Sequence, residues 1–142
     1  MKNHTATMLI LALAGLTGLA SAQTGTTIIA DVPFNYIVSG KAMPAGESRV
    51  KLENNGQAYL WVASEGRSAF AMPFMNESSK AAEETSLVFH KYGNRYFLAG
   101  VKRQGQTLSY ELPAGSLEKE LRASNADEKD VTLVASLKML GK

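Results

Sequence analysis

Apolar side chains recur at every second position through much of this 142-residue sequence. The first run, from 27 to 38, places six of them on one face: Ile28, Ala30, Val32, Phe34, Tyr36 and Val38. A period of two is typical of a β-strand with one buried face, whereas an amphipathic helix repeats every 3.6 residues. One segment predicts a helix, since Ser116 is a suitable N-cap and Leu117 and Leu121 lie four positions apart. We therefore predict an all-β domain with one short helix.

Turn signals divide the chain into seven or eight antiparallel strands, a number that predicts a small barrel or sandwich. Asn55 and Gly56 form the strongest hairpin signal, because both residues tolerate positive φ. If these two residues form the loop, Trp61 lies opposite Val50. Tyr59 then lies opposite Leu52. The predicted register therefore places Trp61 and Tyr59 in the core.

Three later runs, 85 to 92, 95 to 103 and 106 to 112, predict a meander with turns at Gly93-Asn94 and Gln104-Gly105. One predicted face collects Val88, His90, Phe97, Ala99, Val101, Leu108 and Tyr110, and the other collects Leu87, Phe89, Tyr96 and Leu98. Because both faces are apolar, we expect this sheet to be covered on both sides. A last alternating run, 131 to 139, predicts a strand that pairs with the first.

The amino terminus has the features of a signal peptide. A short positive start precedes an apolar run from Thr5 to Leu19, and Ala20-Ser21-Ala22 offers the small residues of a cleavage site. We expect a signal peptide at 1 to 22 and a single domain at 23 to 142, exported to the periplasm or the exterior. No later apolar run is long enough to predict a membrane span in the mature chain.

Composition excludes several kinds of chemistry. The sequence has no cysteine, which excludes disulfides, thiolate metal sites and a cysteine nucleophile. Its 15 basic and 13 acidic side chains are not clustered, so nucleic acid is not an expected partner. The sequence also lacks a phosphate-binding glycine loop and a G-x-S-x-G nucleophile motif. We therefore expect no cofactor and no catalytic serine.

His90 is the only histidine outside the predicted signal peptide. A lone imidazole on an apolar strand face favours a packed role, with one nitrogen hydrogen-bonded, over a catalytic base. Without a second histidine we expect no metal site. The acidic run from 125 to 130 is expected to be surface charge, since it lacks the glycine and distal glutamate of a calcium loop.

Two functional classes remain open. The first is a non-enzymatic binding or envelope-associated module for a small apolar, glycan or peptide ligand. Its candidate contacts are Trp61, Tyr59, Tyr96, Tyr110 and His90. The second is a small secreted hydrolase with a carboxylate pair drawn from Glu47, Glu53, Glu65, Glu83, Glu84 and Glu111. A lipid-binding barrel and edge-strand pairing beside Pro33 or Pro73 are further alternatives.

Four short segments resemble small exported proteins of unknown function from soil bacteria. They are Val32-Pro33-Phe34, Pro44-Ala45-Gly46-Glu47, the run from Leu87 to Leu98, and Glu111-Leu112-Pro113. Ser48 departs from the pattern, since those proteins often carry an aromatic residue there. The resemblance covers most of the predicted mature chain and implies secretion and a compact β fold, but no activity and no site residues.

Cleavage after Ala22 predicts a mature protein that begins at Gln23, with this residue free or cyclised. Mass spectrometry of the extracytoplasmic protein measures its amino terminus directly. An intact Met1 on exported protein would contradict the prediction.

Overall fold

The computed structural model of the protein describes residues 26 to 124 and 127 to 139. The predicted signal peptide and its cleavage site lie outside these residues, as do positions 125 and 126 of the acidic run. Across the two described ranges, no helix is long and apolar enough to span a bilayer.

The described residues form twelve strands and one helix. In chain order they are β1 (Thr26–Val32), β2 (Tyr36–Val38), β3 (Lys41–Met43), β4 (Gly46–Asn54), β5 (Ala58–Ser64), β6 (Arg67–Ala71), β7 (Phe74–Glu77), β8 (Ser86–Tyr92), β9 (Arg95–Lys102), β10 (Leu108–Glu111), α1 (Ser116–Ala123), β11 (Glu128–Val134) and β12 (Ser136–Met139). Sheet A has the order β12-β1-β4-β5-β6. Sheet B has the order β11-β8-β9-β10-β7, with β2 beside β9 and β3 beside β2.

Both sheets contribute to one hydrophobic core, as in a β-sandwich. Sheet A supplies Ile28, Val50, Leu60 and Val62 among others, and sheet B supplies Val38, Leu87, Phe89 and Val101. Over the described residues the sheets do not close into a barrel. The predicted all-β class with one short helix is confirmed. Of the two predicted arrangements, barrel and sandwich, the two sheets form the sandwich.

Prolines break two of the predicted strands, which adds β2 and β7 to the predicted number of strands. The run from 27 to 38 ends at Val32 and resumes at Tyr36. The alternating residues from 68 to 75 also predict one strand, and it is interrupted between Ala71 and Phe74. Proline has no N–H for a sheet ladder. At both breaks the chain leaves sheet A and enters sheet B.

The final predicted strand is also divided between the sheets. β11 pairs with β8 in sheet B, and after Ala135 the chain continues as β12, which pairs antiparallel with β1 in sheet A. The predicted pairing of the last strand with the first is therefore confirmed for residues 136 to 139. Strands that exchange sheets in this way form the corners of a sandwich.

The register of the β4–β5 hairpin differs by one residue from the prediction. Asn54 pairs with Ala58, so the loop has three residues and includes Gly56 at φ +85°. Trp61 consequently lies opposite Lys51 instead of Val50. A shift of one residue moves every side chain to the other face. The prediction that Trp61 and Tyr59 are core residues is wrong, since 47% of Trp61 is exposed and Tyr59 is only half-buried, outside the core cluster.

The observed faces of the meander differ from the predicted ones because of a β-bulge between Val88 and Phe89. Beyond the bulge, Val101 pairs with Leu87, and Tyr110 pairs with Val101. A bulge inserts one residue into one strand and so inverts the alternation past that point. Val101 and Tyr110 therefore face the core rather than sharing a face with His90.

Leu60 and its neighbour Trp61 provide a direct test of the observed register. Leu60 is fully buried, so Leu60→Ala should lower the free energy of unfolding by about 2 to 5 kcal/mol. Trp61→Ala should cost less than about 1.5 kcal/mol, because half of this side chain is already in water. Urea unfolding measures both, and a larger loss for Trp61→Ala than for Leu60→Ala would contradict the register.

Candidate functional site

The outer face of sheet A carries a group of aromatic side chains, which we call the aromatic patch: the exposed Trp61 and Phe70 and the half-buried Tyr59. Trp61 on β5 lies directly opposite Phe70 on β6. Their ring centroids are 6.4 Å apart, and those of Tyr59 and Phe70 are 5.6 Å apart. The residues adjacent to Trp61 on β5, Leu60 and Val62, are buried. Alternation of the strand therefore turns these aromatic rings outward.

The aromatic patch lines a shallow hollow of about 360 Å³ together with Lys51 and Glu53. The ammonium group of Lys51 lies 2.8 Å from the Glu53 carboxylate. Both side chains are partly exposed, and both face the same side of β4 because they are two residues apart. The hollow thus combines three apolar ring surfaces with one hydrogen-bond donor and one acceptor group.

The five predicted contact residues do not form one site. Tyr59 and Trp61 meet in the aromatic patch, and sequence reasoning omitted Phe70, although it lies opposite Trp61 once β6 is paired with β5. Tyr96 stacks on Phe34 with ring centroids 3.7 Å apart. Tyr110 is buried in the core. His90 lies on the outer face of sheet B.

His90 belongs to a polar cluster beneath α1, which we call the His90 cluster: His90, Tyr92, Glu118, Arg122, Glu128 and Asp130. His90 Nδ1 lies 2.6 Å from Glu118 Oε1, and 22% of the His90 side chain is exposed. A carboxylate only accepts hydrogen bonds, so the 2.6 Å contact assigns the hydrogen to Nδ1. Arg122 Nη2, which is only a donor, lies 3.3 Å from the same nitrogen and cannot donate to it in that form. His90 was predicted to have one ring nitrogen hydrogen-bonded. The acceptor in the structure is Glu118, which the sequence analysis did not consider.

Glu118 is the only buried residue of α1, with 5% exposure. Its Oε1 accepts hydrogen bonds from the Tyr92 hydroxyl at 3.1 Å and from Arg122 Nη2 at 3.3 Å. Burial raises the pKa of Tyr92 to about 12, so its hydroxyl remains a donor at neutral pH. The helix therefore presents a hydrogen-bonded carboxylate to sheet B, whereas Leu117 and Leu121 are only partly buried.

The structure also differs from the sequence predictions at the N-cap of α1 and at the glutamates proposed for hydrolysis. The helix is capped by Gly115, and Ser116 is already its first residue. Four of the six glutamates proposed for a hydrolytic pair lie on three separate elements: Glu53 on β4 of sheet A, Glu111 on β10 of sheet B, where it accepts a hydrogen bond from Asn76, and Glu83 and Glu84 in the loop after β7. Glu47 and Glu65 share one open cleft with Arg49 and Arg67.

A second cleft, of about 390 Å³, adjoins the His90 cluster. His90, Arg122 and Asp130 contribute to its lining, with Ala99 and Gly100 among the other lining residues. A β-carbon at Gly100 would lie 3.2 Å from the Tyr110 carbonyl oxygen, so a larger residue would crowd the strand there. The imidazole is thus anchored at Nδ1 and accessible from a cleft.

Comparisons of the chain with protein-family models, with curated proteins and with solved structures found no match.

Glu118→Gln should lower the free energy of unfolding by about 1.5 to 3 kcal/mol, because it weakens three hydrogen bonds to a charged acceptor. The matched control is Glu120→Gln on the same helix, where the side chain is exposed and the expected change is below about 0.5 kcal/mol. Chemical denaturation of both variants measures the difference. Equal stabilities would contradict the inferred role of Glu118.

Proposed function

We propose that this protein is an exported, non-enzymatic binding module that recognises carbohydrate through the aromatic patch. One observation carries the proposal: Trp61 and Phe70, two large aromatic residues in direct cross-strand pairing, are 47% and 48% exposed. A large apolar surface in contact with water is costly, and contiguous exposed patches of this kind mark binding sites.

The chemistry of the hollow favours a sugar over a lipid. A pyranose ring presents weakly positive C–H groups on its faces, and these pack against the negative face of an aromatic ring. Its hydroxyl groups require donors and acceptors at the edge, which Lys51 and Glu53 supply. A lipid chain requires a deep apolar enclosure, but the space between the two sheets is occupied by core side chains.

The size of the hollow favours a small ligand over a protein partner. Five residues line it, whereas a standard protein interface uses about 20 to 30 residues on each side. A volume of about 360 Å³ lies within the range of small-molecule sites, which is about 300 to 1,000 Å³. A few sugar units of an extended glycan fit this description.

Trp61 is the only tryptophan in the sequence, so its fluorescence reports ligand contact at the patch. We expect saturable changes in emission on titration with at least one of a panel of β-1,4-linked hexasaccharides of glucose, xylose or N-acetylglucosamine. Phe70→Ala should weaken the binding at least tenfold, since a loss of about 1.4 kcal/mol corresponds to that factor. Phe74→Ala is the matched control, because Phe74 is equally exposed but lies on β7 of sheet B.

Other results of the same titration would contradict the proposal. Quenching by phospholipid vesicles but by no oligosaccharide would favour the lipid alternative. Concentration-dependent dimerisation abolished by Phe70→Ala would make the patch a protein interface. Release of reducing ends from a bound oligosaccharide would show turnover and favour the hydrolase alternative.

A further inference from the structure

Three side chains of types that can ligate a metal ion converge at one edge of sheet B, whereas the aromatic patch lies on sheet A. Asp130 on β11 lies directly opposite His90 on β8, and Glu128 is two residues earlier and so shares its face. Glu128 Oε1 and Asp130 Oδ1 each lie 3.7 Å from His90 Nε2. Ligand atoms of all three residues lie within 4.8 Å of one another.

The imidazole is held in the orientation that a metal ligand requires. Glu118 accepts the hydrogen of Nδ1, so in the neutral ring the lone pair is on Nε2, the nitrogen that faces the two carboxylates. Histidine ligands of metal ions usually donate their other ring N–H to a carboxylate, a backbone carbonyl or water, and here the acceptor is a carboxylate. Because Glu118 is buried and hydrogen-bonded to Tyr92 and Arg122, its own position is fixed as well.

The two distances from His90 Nε2 suit a small divalent ion. Two ligand atoms that each lie about 2.1 Å from a tetrahedral ion are about 3.4 Å apart. The observed 3.7 Å is only a few tenths of an ångström longer, and exposed carboxylates adjust by rotation.

The charge of the His90 cluster also suits a divalent ion. Glu118, Glu128 and Asp130 carry three negative charges, and Arg122, which lies 3.3 Å from both Glu118 and Glu128, neutralises one of them. A divalent ion would balance the remaining two.

We propose that His90, Glu128 and Asp130 bind a divalent first-row transition ion such as Zn²⁺. An imidazole combined with carboxylates suits these ions, whereas Ca²⁺ and Mg²⁺ prefer oxygen ligands alone. The cleft of about 390 Å³ that borders His90 and Asp130 gives the ion a path to the site. This proposal is independent of carbohydrate binding, which rests on residues of sheet A.

Calorimetric titration of the untagged protein with ZnCl₂ in a buffer free of chelators tests the site. We expect saturable binding of one ion per chain, and a rise in the thermal unfolding midpoint that depends on Zn²⁺ concentration. Asp130→Ala should weaken binding at least tenfold. Asp130 is 68% exposed at its side chain, so this variant should fold normally without the ion.

Three further variants separate ligation from general surface charge. His90→Gln should weaken binding at least tenfold, and Glu118→Gln about 10-fold to 100-fold through loss of imidazole positioning. Glu77→Gln is the control, because Glu77 is an exposed acid on β7 at the opposite edge of sheet B; its binding should equal that of the unmodified protein.

The proposal is overturned if the unmodified protein shows neither binding heat nor a midpoint shift with Zn²⁺. It is also overturned if Asp130→Ala and His90→Gln bind Zn²⁺ as the unmodified protein does. Equal competition by Mg²⁺ would indicate an oxygen-only site and remove the imidazole from it. In each of these cases the His90 cluster is an ion-pair network that fastens α1 to sheet B.

Discussion

The pairing of β4 with β5 is the constraint on which much of this molecule depends. Val50 opposite Val62 and Leu52 opposite Leu60 place four aliphatic side chains on the inner face of sheet A. Because side chains alternate along a strand, the same register turns the other set outward. The aromatic patch is therefore a direct consequence of how the core is formed, and moving it inward would expose the aliphatic set.

The two sheets are joined by strands that pass from one to the other. Sheet A ends at β6 and sheet B at β7 on one side, and the chain connects them through Met72 and Pro73. On the other side β11 and β12 are joined at Ala135. Continuous chain at both edges limits how far the sheets can separate, which matters in a protein that has no cysteine and hence no disulfide.

The two candidate sites lie on opposite outer faces of the sandwich and differ in their physical basis. The aromatic patch is open and depends on apolar ring surfaces of sheet A. The His90 cluster is partly covered by α1 and depends on charge, with the buried Glu118 as its centre. A buried carboxylate requires hydrogen-bond donors, and here His90, Tyr92 and Arg122 supply them. The same contacts attach the helix to the sheet and orient the imidazole.

The local pattern of the sequence was sufficient to predict the class of fold, the short helix near residue 116 and the apolar face of the first strand. Alternation and turn residues act over a few neighbouring positions, so these features are local. Whether Trp61 lies inside or outside depended on one residue of loop length, and the place of Tyr110 depended on a bulge at Val88. Both are decided by which pairing best fills the core between two sheets. The contact of Glu118 with His90 joins positions 28 residues apart, and that of His90 with Asp130 joins adjacent strands of sheet B. Only the tertiary structure decided these contacts, because no local spacing encodes which strand lies beside another.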